Sequence, residues 1–354
     1  MKPSPSRRAI LRALAGVPSG QTAAPAAGPA TRPRRRVPVE DLVNTFEFED
    51  VARTALETSM FSLIAGGDRT PFERMTFRPR MFVPSAPLDL TTTLLGERMF
   101  APFVVGPVSE QRRFHPDGEL ATVRGAGAAK AVTVISSRSS EPIEKIVAAA
   151  SAPVWFQVFS DGDASAAHDQ AQKAIVAGCK ALWITVGPPA AYLPGARLTA
   201  TRPNWRALET ISRDLAVPVA LKGAVSPEDA AEAQKRGFKA LVLSAGASGP
   251  AAVDALPRIA DTVGSGLPLY IDGSVRRGTD VLKALSQGAA GAVVSRPVMW
   301  GLASHGADGV RTVLELLQSE LARNMVTVGR PTLARIDRTL VTIHKPAGTA
   351  SSGA

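Results

Sequence analysis

The chain has 354 residues, 45% hydrophobic and 20% charged. That is apolar enough for a sizeable core, with no run of about 18 apolar residues to span a bilayer as a helix. Its single cysteine, Cys179, excludes an internal disulfide and a cysteine-rich zinc site. The net charge is +10, but eight basic residues (Lys2, Arg7, Arg8, Arg12, Arg32, Arg34, Arg35 and Arg36) precede the first acid, leaving +2 for the rest. The basicity therefore belongs to a tail, and a nucleic-acid-binding face is not expected.

Residues 1–36 are rich in Pro, Ala and Gly and have little to bury, so a disordered basic tail is expected there. Within it, Ser6-Arg7-Arg8-Ala9-Ile10-Leu11-Arg12 is similar to a twin-arginine export signal, with small residues near Ala23-Ala24 for cleavage. The apolar stretch Ala13–Val17 is short and ends at Pro18. Two readings stay open: an exported or periplasmic protein, or a cytoplasmic one with a basic extension.

Residues 37–98 precede the main domain. Val39–Ile64 reads as one or two helices, followed by the glycine-rich Ala65-Gly66-Gly67-Asp68. Phe77–Met99 alternates like strands with proline breaks, which suits a hairpin plugging one end of a barrel. From residue 99 to 340, eight short apolar runs follow: Phe103–Val108, Val132–Ser136, Val154–Phe159, Ala181–Val186, Val217–Lys222, Ala240–Ser244, Leu267–Asp272 and Gly291–Ser295. Helical patterns separate them, among them Glu119–Lys130, Ala164–Ala177, Pro227–Arg236 and Thr279–Gln287. Ser226-Pro227-Glu228-Asp229 opens one helix with a cap, a first-turn proline and acids at the positive dipole end. Gly178, Gly237 and Gly288 supply helix stops. Continuous apolar strands alternating with helices imply a parallel sheet, and eight units imply an α/β fold of the (β/α)8 TIM-barrel type. Val313–Leu321 reads as the last helix and 341–354 as a flexible C-terminal tail.

In such a barrel the site lies at the C-terminal ends of the strands. Read in order, those ends are Ser136, Gln157, Thr185, Lys222, Ser244, Asp272 and Arg296. Each polar group buried without a partner costs about 1–3 kcal/mol, so seven at one rim point to a shared polar ligand. The loops Asp272-Gly273-Ser274-Val275-Arg276 and Ser295-Arg296-Pro297 follow strands seven and eight, where barrels cradle phosphate. Small residues there admit backbone N–H groups to an anion, and Arg276 and Arg296 add charged donors. Lys222 is a fixed positive charge suited to an electron-rich ring.

Leu221-Lys222-Gly223 with Pro227-Glu228-Asp229-Ala230, then Ile271–Val281, then Ser295-Arg296-Pro297, resemble the FMN-dependent α-hydroxy acid oxidases and dehydrogenases. His115-Pro116-Asp117-Gly118-Glu119, Ser136-Ser137, Trp155-Phe156-Gln157 and Thr185-Val186 fit the same pattern, which runs from about Val39 to Leu340. The resemblance implies FMN as cofactor and a small-molecule substrate oxidised by transfer to flavin N5, and by analogy a homo-oligomer. It also implies the contacts. Pro107, Val108 and Ser109 would lie beside the ring, and Ser136, Gln157 and Thr185 at its polar edge. Lys222 would stand by its pyrimidine end. Asp272, Gly273, Ser274, Arg276, Ser295 and Arg296 would hold the ribityl phosphate.

The substrate side departs from the family. Its pattern supplies a His that takes the substrate hydroxyl proton and an Arg that pairs with the carboxylate, both after strand six. Here that segment reads Ser244-Ala245-Gly246-Ala247-Ser248-Gly249-Pro250, with Gly246 at the His position and Gly249 at the Arg position. The family's orienting Tyr residues fall on Leu63 and Phe159, and the loop after strand four is shortened, with Arg197 as a candidate that could swing in. Arg138, after strand two, is a candidate replacement anion contact. His115 belongs to a helix-opening motif, His168 and His305 read as solvated, and His344 falls in the tail. No catalytic residue is assigned from sequence. Two readings follow: an FMN oxidoreductase with an altered, more apolar pocket, or a flavin-binding pseudoenzyme.

Overall fold

The computed structural model describes residues 37–80, 82–83, 86–186, 204–223, 226–244 and 251–344. The basic tail with its export-like motif, the segment carrying Arg197, the Gly246 and Gly249 loop and residues 345–354 lie outside them. Numbered along the chain, β1 is Met75–Phe77, β2 Thr92–Leu94 and β3 Glu97–Met99. The barrel strands are β4 Phe103–Val105, β5 Thr133–Ser136, β6 Val154–Phe159, β7 Leu182–Thr185, β8 Val219–Lys222, β9 Ala240–Ser244, β10 Leu269–Asp272 and β11 Gly291–Val294, and β12 is Val341–Ile343. β4 to β11 close in sequence order into one parallel barrel, each strand inside its expected run. The fold is the TIM barrel expected from sequence.

Side-chain parity sorts the strands into two cores. Phe103, Ile135, Phe156, Ile184, Leu221, Leu243, Ile271 and Val294 point outward into the layer covered by helices. Their neighbours Val104, Val134, Trp155, Trp183, Ala220, Val242, Tyr270 and Val293 fill the interior. Both faces of a parallel strand are thus dry, which is why the runs are continuously apolar. The β2–β3 hairpin closes the lower end, with Leu94 and Met99 buried in the interior cluster. Leu94 Cδ1 approaches Gly291, the first residue of β11, so closely that a Cβ there would meet it at 3.0 Å.

Helices form where caps and stops were legible. The Ser226 hydroxyl accepts the Asp229 N–H at 3.0 Å to open Pro227–Lys235. Gly178, Gly237 and Gly288 have φ of +112°, +82° and +108°, values at which a side chain would be strained. No helix among the described residues is long and apolar enough to cross a membrane.

Five expectations need correction. Residues 341–354 do not begin as a free tail: Val341–Ile343 pairs antiparallel with Met75–Phe77, and the His344 ring bonds the Thr76 hydroxyl at 2.7 Å. The expected hairpin is confined to residues 92–99, because Phe77 belongs to that distant pair. The last helix runs over Arg296–Thr327 with a break at His305 and Gly306, far beyond Val313–Leu321. At the break His305 is not simply solvated, since its Nε2 bonds the Val37 carbonyl at 2.9 Å and its ring meets Phe48 edge-on. His168 is likewise half-buried, with Nδ1 at 3.2 Å from the Ile211 carbonyl.

Cys179 is buried after a helix stop, and burial pushes its thiol up to about 12. The thiolate is the reactive species, so Ellman's reagent at pH 8 is expected to leave the native protein unlabelled and to titrate one thiol after unfolding.

Candidate functional site

Extending the interior parity one step toward the C-terminal ends replaces apolar side chains by Gly106, Ser136, Gln157, Thr185, Lys222, Ser244, Asp272 and Ser295. Strand register sets Ser136 beside Gln157, Thr185 beside Lys222 and Ser244 beside Asp272. A polar ring thus caps an interior of aliphatic and aromatic side chains. Its members pair among themselves. Ser109 and Ser136 share a hydroxyl contact at 3.0 Å, and Gln157 Nε2 donates to Thr185 Oγ1 at 2.5 Å. Lys222 Nζ donates to Asp272 Oδ2, which Ser244 Oγ also approaches at 3.4 Å. Pro107 and Val108 are half-buried on the loop after β4, where the Val108 carbonyl accepts Gln111 Nε2 at 3.2 Å. Gly106 has no room for a side chain, because a Cβ would meet Ser295 Oγ at 2.1 Å.

The loop after β10 builds a second feature. Gly273 and Ser274 have φ of +133° and +58°, and the space beside Gly273 is open to 4 Å. Successive backbone N–H groups in such turns form anion-binding concavities. Arg276 follows, only 3% exposed, its backbone N–H held by Asp280 Oδ2 at 2.9 Å and its guanidinium 5.2 Å from the Trp300 ring. Arg276 Nη2 donates to the Gly66 carbonyl at 2.8 Å, and Arg296 Nη1 donates to the same oxygen at 3.2 Å. Burial, and then the like charges of Arg296 and Arg69, push the Arg276 guanidinium down to about 10. Two guanidinium groups therefore converge on one neutral carbonyl. Asp280 is the buried acid nearby, its carboxyl pushed up by burial and opposed by Arg69. The donor set suits a dianionic phosphate ester far better than a neutral ligand.

Sequence reasoning placed Arg276 and Arg296 but missed their partner. Gly66 and Gly67 stand at the cradle because a Cβ on Gly67 would meet Arg296 Nη1 at 2.3 Å and Arg276 Nη2 at 2.8 Å. The signal was the run Ala65-Gly66-Gly67-Asp68, whose destination no local pattern reveals. Leu63 lies just before this run and is 45% exposed. Ile64 is fixed by its carbonyl, which accepts Trp300 Nε1 at 2.9 Å.

On the opposite side of the mouth, Phe159 continues the inward parity above Gln157, and the Arg138 guanidinium lies 4.0 Å over its ring. Asp161, not identified from sequence, accepts Arg138 Nη2 at 3.1 and 2.9 Å. His115 has the structural part expected of it: Nδ1 accepts the Asp117 N–H at 3.2 Å at the opening of the helix Gly118–Ala128.

Comparison with known proteins gives a consistent result. A sequence model of the family described as FMN-dependent dehydrogenase matches residues 62–193 and 190–343. An L-lactate oxidase of Nostoc sp. is 32% identical, the match covering 83% of this chain and 96% of the relative. A peroxisomal (S)-2-hydroxyacid oxidase of Arabidopsis thaliana is 28% identical over 85% of this chain and 96% of its own. Among solved structures, a mandelate oxidase with (S)-2-phenylpropionate superposes with a TM-score of 0.79 at 32% identity, over 86% of this chain and 99% of that one.

Proposed function

The chain belongs to the FMN-dependent dehydrogenase family, and from that premise we propose that it is a flavin oxidoreductase whose substrate side has been rebuilt. FMN, when bound, supplies the acceptor for the two electrons withdrawn from substrate. Arg276, Arg296, Ser295 and the Asp272–Ser274 loop hold the phosphate end. Ser136, Gln157 and Thr185 bond the polar edge of the ring, with the Pro107–Ser109 backbone alongside. Lys222 sets a positive charge at the pyrimidine end, and Asp272 keeps its ammonium in place. The observation that carries this reading is the polar ring at one end of a dry barrel, with two convergent guanidinium groups beyond it.

Leu63, Phe159 and Gly246 stand where the family's pattern has two Tyr hydroxyls and the proton-accepting His. A missing general base costs about 10²–10⁴ in rate, so ordinary 2-hydroxy acid oxidation is expected to be very slow. The test is the visible spectrum of the purified protein under anaerobic conditions. A flavin spectrum that dithionite bleaches, and that glycolate, lactate and mandelate leave unchanged within minutes, is the expected result. Rapid bleaching by one of the three would overturn the rebuilt-pocket reading. A wider screen of alcohols, amines, larger carboxylates and NAD(P)H then separates a changed substrate from a pseudoenzyme. The latter is favoured by one observation, the lack of any His or Arg between Ser244 and Pro250.

A further inference from the structure

We propose that Arg138 recognises the substrate's anionic group on the guanidinium edge that Asp161 leaves open, with the Asp161 carboxylate offsetting part of that attraction. The inference rests on the assignment of the barrel mouth to FMN. Arg138 leaves β5 two residues after Ser136, whose hydroxyl accepts the Arg138 N–H at 3.1 Å. That bond ties the start of the loop to the polar ring. The guanidinium is then laid 4.0 Å over Phe159, a ring on the inward face of β6, and so stands over the mouth.

Only Nη2 is engaged, and it is shared between the two oxygens of Asp161. Among the described residues the hydrogen bonds of this guanidinium run to Asp161 alone. A guanidinium carries five N–H donors in a planar fork, so an edge suited to a second carboxylate stays open. Both side chains are reachable, 45% exposed for Arg138 and 26% for Asp161. Among the described residues, the other cations of the mouth are committed elsewhere: Lys222 to Asp272, and Arg276 and Arg296 to the phosphate side. With the Phe159 ring beside the open edge, the site fits an organic carboxylate with an apolar or aromatic body. The Asp161 carboxylate meanwhile offsets part of the cation's charge and so weakens the hold on an anionic ligand.

The test uses FMN-loaded protein, with benzoate and its neutral isostere benzamide as probes, read by flavin difference absorbance and by calorimetry. Benzoate is expected to bind at least roughly tenfold more tightly than benzamide. R138L is expected to weaken benzoate about 10- to 100-fold and leave benzamide unchanged, with R138K between the two. D161N is expected to tighten benzoate several-fold, which a purely structural ion pair would not do. Unchanged benzoate affinity in R138L, or weakening by D161N comparable to that by R138L, would overturn the proposal while leaving the FMN assignment intact. A wild-type protein that remains colourless and cannot be reconstituted with FMN would overturn the assignment beneath it as well.

Discussion

Replacing Arg276 by leucine is expected to strip the protein of its flavin. Arg276 is buried, stacked near Trp300, and converges with Arg296 on the Gly66 carbonyl. Removing one partner of a desolvated, hydrogen-bonded charge pair costs about 2–5 kcal/mol, which weakens FMN roughly 30- to 4,000-fold. Fluorescence titration of apoprotein with FMN measures this directly, since binding changes the emission of the flavin. Riboflavin, which lacks the phosphate, is the internal control. Its affinity is expected to be the same in wild type and Arg276→Leu, whereas a misfolded variant would lose both ligands. Equal losses for FMN and riboflavin would show that Arg276 does not act through phosphate. Arg276→Lys keeps the charge but not the fork that reaches Gly66, and is expected to fall between the two.

The second large effect is on stability. Trp155, Trp183 and Tyr270 meet on the barrel axis with ring centroids 5.9–6.4 Å apart, all fully buried. They form the floor beneath the polar ring. Trp183→Ala is expected to cost about 3–5 kcal/mol, because a closed barrel cannot collapse around the void. The indole N–H of Trp183 has no protein partner among the described residues. Trp183→Phe therefore keeps most of the ring volume and gives up no protein hydrogen bond, and is expected to cost under about 1.5 kcal/mol. Urea unfolding followed by far-ultraviolet circular dichroism, at one fixed FMN concentration, compares the two variants without a shift from mass action. A phenylalanine variant as unstable as the alanine one would mean that the N–H is engaged in a bond the barrel needs.

Both predictions depend on a layering that can be traced to side-chain parity. Trp155 and Gln157, Trp183 and Thr185, Ala220 and Lys222, and Tyr270 and Asp272 are each two residues apart, so each pair shares a face. The polar ends of the runs were legible because polar residues terminate apolar stretches at the same place in seven of the eight units. Arg138 was legible only as a candidate, since a loop arginine without its neighbours looks like any solvated cation. Asp161, 23 residues away, gives that arginine its partner, and Phe159 gives it a surface.

The sequence by itself determined the βα alternation, the helix caps and stops, the polar strand ends and the two phosphate-side loops. These are properties of neighbouring residues, governed by backbone propensity, a period of two or 3.6, and local hydrogen bonding. Only the tertiary structure decided which distant segments share a surface. Gly66 lies 210 residues from Arg276 in the chain, and Met75–Phe77 pairs with Val341–Ile343 across more than 260 residues. Closing such loops is governed by the packing of the whole barrel and leaves no periodic trace in either segment. That is why the arginines could be read from the chain, while the carbonyl they share and the strand that ties down the C-terminal end could not.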